Sequence, residues 1–213
     1  MCIRDIFFLM IRRPPRTPQS RSSAASDVYK RQPIMWKTGH SLIKNKMKEE
    51  KALLAGEMSG HMFLAEEHFG YDDAVYAALE VCRVLARQLK DGKKGLSALL
   101  SDLPSVVSTP EIRTDCPEAR KFQIVEALKK ELGDHLKRNE KPLISEIIDI
   151  DGVRVVFEQG WGLVRASNTQ PILVSRFEAV DEKNLEIYKS FFRNLVGKIA
   201  PELSFEVSRE SHA

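Results

Sequence analysis

The segment Ile147-Ile148-Asp149-Ile150-Asp151-Gly152-Val153-Arg154-Val155-Val156-Phe157 decides the fold of the C-terminal half of the chain. It places two β-branched runs on either side of Asp151-Gly152, a dipeptide that favours a tight turn. We therefore predict a β-hairpin with a two-residue turn. Two further strands, near residues 162–166 and 172–177, extend this hairpin into an antiparallel sheet.

Helical patterns stand on both sides of these strands. One begins near Pro117 with Gly133 as its end signal, and the other begins at Asp181. The apolar positions that share a face are Ile124, Val125, Leu128 and Leu132 in the first pattern, and Leu185, Tyr188, Phe192, Leu195 and Ile199 in the second. Residues 104–213 are thus predicted to form a complete small α+β domain, an antiparallel sheet with helices on one face.

Residues 33–103 alternate strand-like and helix-like pieces. A helix is predicted over 42–51, and the buried run over 52–55 is typical of a strand in a parallel sheet. Asp72 or Asp73 then caps a second helix that ends before Gly92. Its shared apolar face, predicted to pack, carries Val75, Leu79, Cys82, Leu85 and Leu89. This part is predicted to be an α/β partial domain with an incomplete mixed sheet and helices, and a composition break at 102–110 separates it from the C-terminal domain.

The first 32 residues differ from the rest in charge and composition. They contain seven of the 33 Lys/Arg residues but only two of the 30 Asp/Glu residues, and their Ser/Pro/Arg-rich part lacks core-forming periodicity. We predict that residues 1–32 are disordered. A targeting peptide and a basic arm for nucleic acid or anionic lipid are two interpretations. We favour a third, that residues 1–32 are non-native read-through of a sequencing adapter, so that the native chain is longer at its N-terminus.

The remaining composition indicates a reduced, cytoplasmic protein. Without the first segment the chain is slightly acidic, so its basic isoelectric point gives no reason to expect a nucleic-acid partner. No apolar stretch is long enough to span a bilayer, and we predict no membrane association. Three cysteines without metal-type spacing favour free thiols.

Two polar clusters carry chemistry. The first, Gly56-Glu57-Met58-Ser59-Gly60-His61, presents a carboxylate, a hydroxyl and an imidazole that suit sugar hydroxyls. The second, Arg165-Ala166-Ser167-Asn168-Thr169-Gln170-Pro171, offers donors that suit a phosphate dianion. Together they predict a phosphosugar site. No activated nucleophile and no acidic cluster for a divalent metal is recognisable, so we predict no metal site in this chain.

These clusters, with two further motifs, resemble the α-D-phosphohexomutase superfamily. One further motif is the segment 37–44, which begins with Lys37-Thr38-Gly39-His40, and the other is the segment 69–73. The resemblance of the phosphate-type cluster extends back to Gly160. The resemblance runs from about Pro33 to the C-terminus and is strongest to the bacterial phosphomannomutase/phosphoglucomutase group. Met58 favours the mannose and glucose enzymes over the glucosamine branch.

The resemblance implies an isomerase, an intramolecular phosphotransferase of carbohydrate metabolism. Residues 33–103 match the end of the third domain of such enzymes, and residues 104–213 match the fourth. The complete enzyme is expected to be a cytoplasmic, monomeric phosphoprotein that interconverts hexose 1-phosphates and 6-phosphates, with Mg²⁺ and a hexose 1,6-bisphosphate intermediate. The family's phosphoserine and magnesium loops are absent from this sequence, so we predict that this chain alone is inactive. Strands beside residues 52–55 would also be missing, which predicts an open sheet edge.

Side-chain chemistry and the resemblance assign the same roles. The predicted sugar-binding residues are Lys37, Glu57, Ser59 and His61, and the predicted phosphate-binding residues are Arg165, Ser167, Asn168 and Thr169. His40 and His61 are the catalytic candidates, since an imidazole titrates near neutral pH and can move a proton. His68, His135 and His212 are predicted to be solvated, and Trp161 to pack between strands.

Three alternatives remain open at this point. The chain is also compatible with a non-catalytic phosphosugar-binding module, which would bind a hexose phosphate through Arg165 without turnover. A fragment of a phosphoglucosamine mutase is the second alternative. A nucleic-acid-binding protein that uses the basic first segment is the third, and it predicts salt-dependent affinity that depends on residues 1–32.

Overall fold

The computed structural model describes residues 8–12, 33–57, 59–93, 95–101 and 103–205. The chain separates into two compact units, residues 1–103 (unit 1) and 104–213 (unit 2). No helix in the described part of the chain is both long and apolar enough to cross a membrane.

Unit 1 is built on a small antiparallel sheet. Its strands are β1 (Phe8–Arg12), β2 (Pro33–Ile34), β3 (Ala52–Glu57) and β4 (Met62–Leu64), in the order β2-β1-β3-β4. Helix α1 (His40–Glu50) packs on β3 through Ile43 and Met47, which are buried with Ala52, Ala55 and Phe63. Helix α2 (Ala74–Lys90) follows, and a 3₁₀ helix spans Leu96–Leu100.

Several expectations for unit 1 are corrected by this sheet. Residues 8–12 were predicted to be disordered, but they form β1, which pairs with both β2 and β3. Strand β3 therefore has a neighbour on each side, β1 and β4, and the predicted open edge beside it is not present. All described pairings are antiparallel, so the parallel pairing expected of residues 52–55 is wrong. The remainder of residues 1–32 lies outside the described residues.

Helix α2 begins where its sequence predicts but does not bury its apolar face. Asp73 is the N-cap, and its side chain accepts a hydrogen bond from the Tyr76 backbone N–H at 2.9 Å. Val75, Leu79 and Leu89 are 73%, 62% and 58% exposed. The prediction of a packing helix is wrong for these residues because no described element covers them; only Ala77 of this helix is buried.

Unit 2 has the predicted architecture, an antiparallel sheet with two helices on one face. The path β5 (Val107–Ser108), β10 (Ile172–Ala179), β9 (Gly160–Ala166), β8 (Val153–Phe157) and β7 (Ile144–Ile148) runs across the sheet, and β6 (Ile112–Asp115) also pairs with β10. Helices α3 (Lys121–Arg138) and α4 (Glu182–Ile199) share one core with the sheet. The hairpin β7–β8 is confirmed, although residues 149–152 form a longer turn than the two residues predicted.

Both helices of unit 2 pack through their predicted faces, but α3 begins at Lys121, four residues after the predicted start, and has no side-chain cap. The predicted apolar positions of α3 are all buried, and Asp181 caps α4 by accepting a hydrogen bond from the Asn184 N–H at 2.8 Å. The end of α3 is a correction: Gly133 lies inside the helix, which continues to Arg138 and ends at Asn139 in a left-handed conformation (φ 53°). Packing of Leu132 and His135, on either side of the glycine, outweighs its low helix propensity.

Gly162 allows a close contact between the sheet and α4. A β-carbon at this position would lie 2.7 Å from a ring carbon of Phe192 and 2.8 Å from one of Phe177. These two rings are fully buried and meet edge to face with centroids 5.2 Å apart. The absent side chain of residue 162 therefore creates the space in which the two aromatic rings pack.

We predict that Gly162→Ala lowers the free energy of unfolding by about 1–3 kcal/mol, because an extra methyl group in a packed core forces its neighbours to move. Gly133→Ala is the matched control: its β-carbon would meet nothing within 4 Å. Since alanine is the better residue in a helix interior, this control should gain about 0.5–1 kcal/mol. Urea titrations of the purified variants measure both changes. Equal or higher stability of Gly162→Ala would contradict the packing argument.

Candidate functional site

The β3–β4 hairpin of unit 1 closes with the predicted sugar-type loop. The backbone N–H of Glu57 donates to the carbonyl of His61 at 2.9 Å, and the N–H of Gly60 donates to the carbonyl of Glu57 at 3.0 Å. These bonds hold Glu57, Ser59 and His61 on one tight turn. Met58 lies outside the described residues.

The Glu57 carboxylate joins this loop to the start of α1. One oxygen accepts a hydrogen bond from the Gly39 backbone N–H at 3.1 Å, and the other accepts from the Ser59 hydroxyl at 3.2 Å. Glu57 is thus a brace as well as a candidate ligand for sugar hydroxyls. Each carboxylate oxygen has a second lone pair, so both oxygens can still accept from a ligand.

Asp72 connects the two candidate catalytic histidines. Its Oδ2 atom lies 2.7 Å from His61 Nδ1 and 3.3 Å from His40 Nε2. The imidazole rings of His40 and His61 are 5.0 Å apart between centroids. Both histidine side chains are about half exposed, at 50% and 46%, whereas Asp72 is 18% exposed. One carboxylate oxygen therefore fixes two rings that remain accessible to a ligand.

The backbone holds each member of this group in place. His40 is the first residue of α1, and its ring meets the buried Phe63 ring edge to face, with centroids 5.6 Å apart. Asp72 is paired with Phe63 by an isolated antiparallel bridge. His61 directly precedes β4. The three side chains converge because a helix start, a strand start and a bridge all adjoin Phe63.

Four of the five predicted residues of unit 1 are therefore close together: His40, Glu57, Ser59 and His61. Lys37 is exposed and has no hydrogen bond or ion pair within the described ranges. From the sequence Asp72 is one of two candidate helix caps and a member of the 69–73 motif, but its contact with the histidines is not predicted. The bridge to Phe63 carries no local sequence signal, because such pairings depend on the fold.

Two histidines predicted to be solvated are not. His135 is 5% exposed, and its Nε2 atom lies 3.0 Å from the Pro142 carbonyl oxygen. His68 stacks on the Tyr76 ring with centroids 4.2 Å apart and contacts the Asp73 carboxylate at 3.2 Å. Hydrogen bonds from the Tyr76 N–H, and then from His68, hold the pKa of Asp73 below its ordinary value. His212 lies outside the described residues.

In unit 2, Arg165 lies near the end of β9, before the phosphate-type loop. Its side chain is half-buried, and its Nε atom is buried without a hydrogen-bond partner. Asn168 and Thr169 in the loop are exposed. Buried donors are normally satisfied, so an orphaned guanidinium N–H beside exposed polar groups is consistent with an anion-binding role.

Ser167 shapes this loop from within. It is 7% exposed, and its hydroxyl oxygen accepts hydrogen bonds from the Thr169 and Gln170 N–H groups at 3.3 and 3.1 Å. Lys121 braces the same loop by donating to the Gln170 carbonyl at 3.1 Å. This lysine is 1% exposed and also pairs with Glu118. Sequence reasoning missed it because it precedes the loop by more than forty residues and lies on a helix.

Two more arginines share the sheet face of Arg165. Leu163, two residues before Arg165, pairs with Arg154 on β8 and with Arg176 on β10. Residues two apart on a strand point to the same face, and so do directly paired residues. The Arg154 guanidinium lies 4.7 Å from the centre of the Trp161 ring, which is 3% exposed, so packing of Trp161 between strands is confirmed. By the same register Glu178, which pairs with Trp161, also lies on this face, so the face carries charges of both signs.

Comparisons with known proteins identify similar sequences and folds. Residues 18–106 match a family model described as phosphoglucomutase/phosphomannomutase, alpha/beta/alpha domain III. Residues 111–195 match the model for the C-terminal domain of the same family. The two matches lie in chain order and together include most of the sequence.

Individual relatives agree with these matches. A phosphomannomutase/phosphoglucomutase from Pseudomonas aeruginosa is 49% identical over 78% of this chain and 33% of its own length. A phosphoglucomutase from Neisseria gonorrhoeae is 43% identical over 76% of this chain and 33% of its own length. The crystal structure of a phosphoglucomutase/phosphomannomutase family protein from Burkholderia thailandensis superposes with a TM-score of 0.66 at 37% identity, covering 85% of this chain and 36% of that one. The chain spans about a third of the length of these relatives.

We predict that Gly152→Ala displaces Arg165. A β-carbon at residue 152 would lie 2.5 Å from both the Arg165 Cβ and the Val164 carbonyl oxygen, and φ is +80°. The variant should lose about 1–3 kcal/mol for the backbone strain and at least as much again for the clash. Its Arg165 Nε–Hε signal should also shift in NMR spectra.

Gly92→Ala separates strain from clash. Gly92 has a similar φ of +73°, but its β-carbon would meet nothing within 4 Å. This control should cost only the strain and should leave the Arg165 signal unchanged. Equal stability losses in the two variants, with no shift of the Arg165 signal in either, would exclude the proposed support of Arg165 by Gly152.

Proposed function

Because this chain belongs to the phosphoglucomutase/phosphomannomutase family, we propose that it is the part of a hexose-phosphate mutase that binds the substrate's sugar and phosphate. The complete protein would interconvert hexose 1-phosphates and 6-phosphates through a hexose 1,6-bisphosphate. This chain contributes recognition and proton handling. We further propose that the complete protein acts as a monomer in the cytoplasm, on free hexose phosphates and without nucleic acid.

The observation that carries the proposal is the convergence of His40, Glu57, Ser59 and His61 in one place. The Glu57 carboxylate, the Ser59 hydroxyl and the two imidazoles can each accept from or donate to the neighbouring hydroxyls of one sugar ring. The bonds of Glu57 to Gly39 and Ser59 fix these groups before a ligand arrives. Such preorganisation lowers the entropy cost of binding.

Proton transfer is assigned to His61 with Asp72 as its partner. When His61 carries its proton on Nδ1, this N–H donates a hydrogen bond of 2.7 Å to the Asp72 carboxylate. The Nε2 atom then carries a lone pair and can take a proton from a sugar hydroxyl as it attacks a phosphoryl group. His40 shares Asp72 and lies beside His61, so it orients the same hydroxyl or serves as the alternative base.

Phosphate recognition is assigned to Arg165, Asn168 and Thr169. The guanidinium can contact two phosphate oxygens at once, while the exposed side chains of Asn168 and Thr169 donate to the remaining ones. Ser167 acts mainly by holding the loop, since its oxygen already accepts two backbone N–H groups. A phosphate held away from the reacting end supplies binding energy that orients the sugar.

Magnesium does not fit the donor set found among the residues that the structure describes. Mg²⁺ prefers an octahedral shell of oxygen ligands, usually carboxylates, phosphates and water. Within the described residues, the His, Cys, Asp and Glu side chains that converge closely enough to hold a metal are His40, His61 and Asp72, and two of these three donors are nitrogens. We therefore assign the family's Mg²⁺ to parts of the complete protein beyond this sequence and derive no step through it.

We predict that the chain binds glucose 6-phosphate saturably and that Arg165→Ala weakens this binding roughly 10- to 100-fold, since a hydrogen bond to a charged group contributes about 1.5–3 kcal/mol. Arg138→Ala is the matched control, because it removes the same charge from an exposed residue that pairs with Glu140. Isothermal titration calorimetry with glucose 6-phosphate and inorganic phosphate measures both. Equal affinities of the two variants would refute the phosphate assignment.

The chain alone should not turn over substrate. Incubation with glucose 1-phosphate, Mg²⁺ and glucose 1,6-bisphosphate is expected to give no glucose 6-phosphate in a coupled dehydrogenase assay, because the sequence provides no phosphoryl donor group. The full-length P. aeruginosa relative serves as the positive control. Turnover by this chain that survives repeated purification would overturn the assignment of catalysis to the missing parts.

A further inference from the structure

We propose that His40, His61 and Asp72 form a binding site for a transition metal ion of the Zn²⁺ type, distinct from any magnesium site. Each residue offers one ligand atom, and the three atoms lie within 4.8 Å of one another. Two imidazoles and one carboxylate are a donor set that zinc sites use, with the fourth position open. The inference concerns the three side chains themselves and does not depend on sugar binding.

The two distances from Asp72 to the histidines are close to those that a tetrahedral ion requires, and the two imidazole nitrogens lie within 4.8 Å of each other. Zinc binds imidazole nitrogen and carboxylate oxygen at about 2.0–2.2 Å, which places neighbouring ligand atoms roughly 3.3 Å apart. The separation of His40 Nε2 from Asp72 Oδ2 is already 3.3 Å. The separation of His61 Nδ1 from Asp72 Oδ2 is 2.7 Å, so it has to lengthen by roughly 0.6 Å when the ion replaces the hydrogen-bonded proton.

The site is preorganised and accessible. Its ligands are held by the first turn of α1, the start of β4 and the backbone bridge between Phe63 and Asp72. Two half-exposed histidines leave the open side of the cluster toward solvent. An ion can therefore enter without unfolding the unit, and water can complete its coordination.

Ligand chemistry sets the selectivity. Imidazole suits Zn²⁺, Co²⁺, Ni²⁺ and Cu²⁺, whereas Mg²⁺ prefers oxygen and keeps its water shell. Binding requires unprotonated nitrogen atoms and therefore releases any proton held between His61 and Asp72. If the proposed function is correct, an ion on His40 and His61 removes the groups that would hold the sugar, and zinc acts as an inhibitor that competes with hexose phosphate.

To test the proposal, the metal-free chain is titrated with ZnCl₂ in a calorimeter, which measures the zinc affinity. A second sample is titrated with CoCl₂ while NMR spectra are recorded. Co²⁺ should broaden the imidazole signals of His40 and His61 first. Loss of any one ligand should lower the affinity of the strongest zinc site by more than the ~10-fold that follows loss of an outer-shell partner. The three variants that test this are His61→Gln, His40→Asn and Asp72→Asn. MgCl₂ in large excess should not displace Zn²⁺.

His68→Gln is the matched control. His68 is also a histidine of unit 1 that contacts a carboxylate, Asp73, at 3.2 Å, but it has no second imidazole beside it. This variant should keep the zinc affinity of the parent chain. The proposal is overturned if the variants of the three ligands bind zinc as the parent does, if His68→Gln abolishes binding, or if Co²⁺ broadens other histidine signals first.

A competition experiment separates this inference from the proposed function. Zinc binding that glucose 6-phosphate weakens supports a shared site for ion and sugar. Zinc binding that is lost in the three ligand variants but unaffected by saturating glucose 6-phosphate still establishes the metal site and contradicts the sugar assignment. Circular dichroism of each variant identifies any that fails to fold, and Co²⁺ broadening in the parent chain then decides the question alone.

Discussion

The candidate site of unit 1 depends on one carboxylate oxygen that two imidazoles share. Asp72 Oδ2 contacts both His61 and His40, and the bridge of its backbone to Phe63 fixes where that oxygen can be. A carboxylate that is only 18% exposed can hold an imidazole in one orientation and tautomer, which an exposed aspartate does less well. The same arrangement explains why the cluster suits both proton transfer and a nitrogen-binding metal.

In unit 2 the backbone around the phosphate-type loop supports the Arg165 side chain. Gly152 leaves room for the Arg165 side chain, and Ser167 and Lys121 hold the turn that follows it. The guanidinium keeps a buried N–H without a partner. A buried donor without a hydrogen-bond partner destabilises the protein, and a ligand that accepts the missing hydrogen bond offsets this loss.

Local patterns predicted most of unit 2 and less of unit 1. The hairpin around Asp151-Gly152, the Asp181 cap of α4 and the buried face of α3 follow from turn chemistry and periodicity, which are properties of neighbouring residues. The pairing of β1 with β3 and the bridge between Phe63 and Asp72 join residues distant in sequence, and no local signal encodes them. The motifs single out His40, Glu57 and His61 as candidates, whereas the contacts of Asp72 and Lys121 depend on the fold and are not predicted from the sequence.

The exposed apolar side chains on α2 affect how long the chain survives inside a cell. Val75, Leu79 and Leu89 stand in water on one side of a regular helix. Exposed hydrophobic rows of this kind drive self-association and attract chaperones and proteases. We expect cellular quality control, rather than the packed core of unit 2, to set the lifetime of this polypeptide.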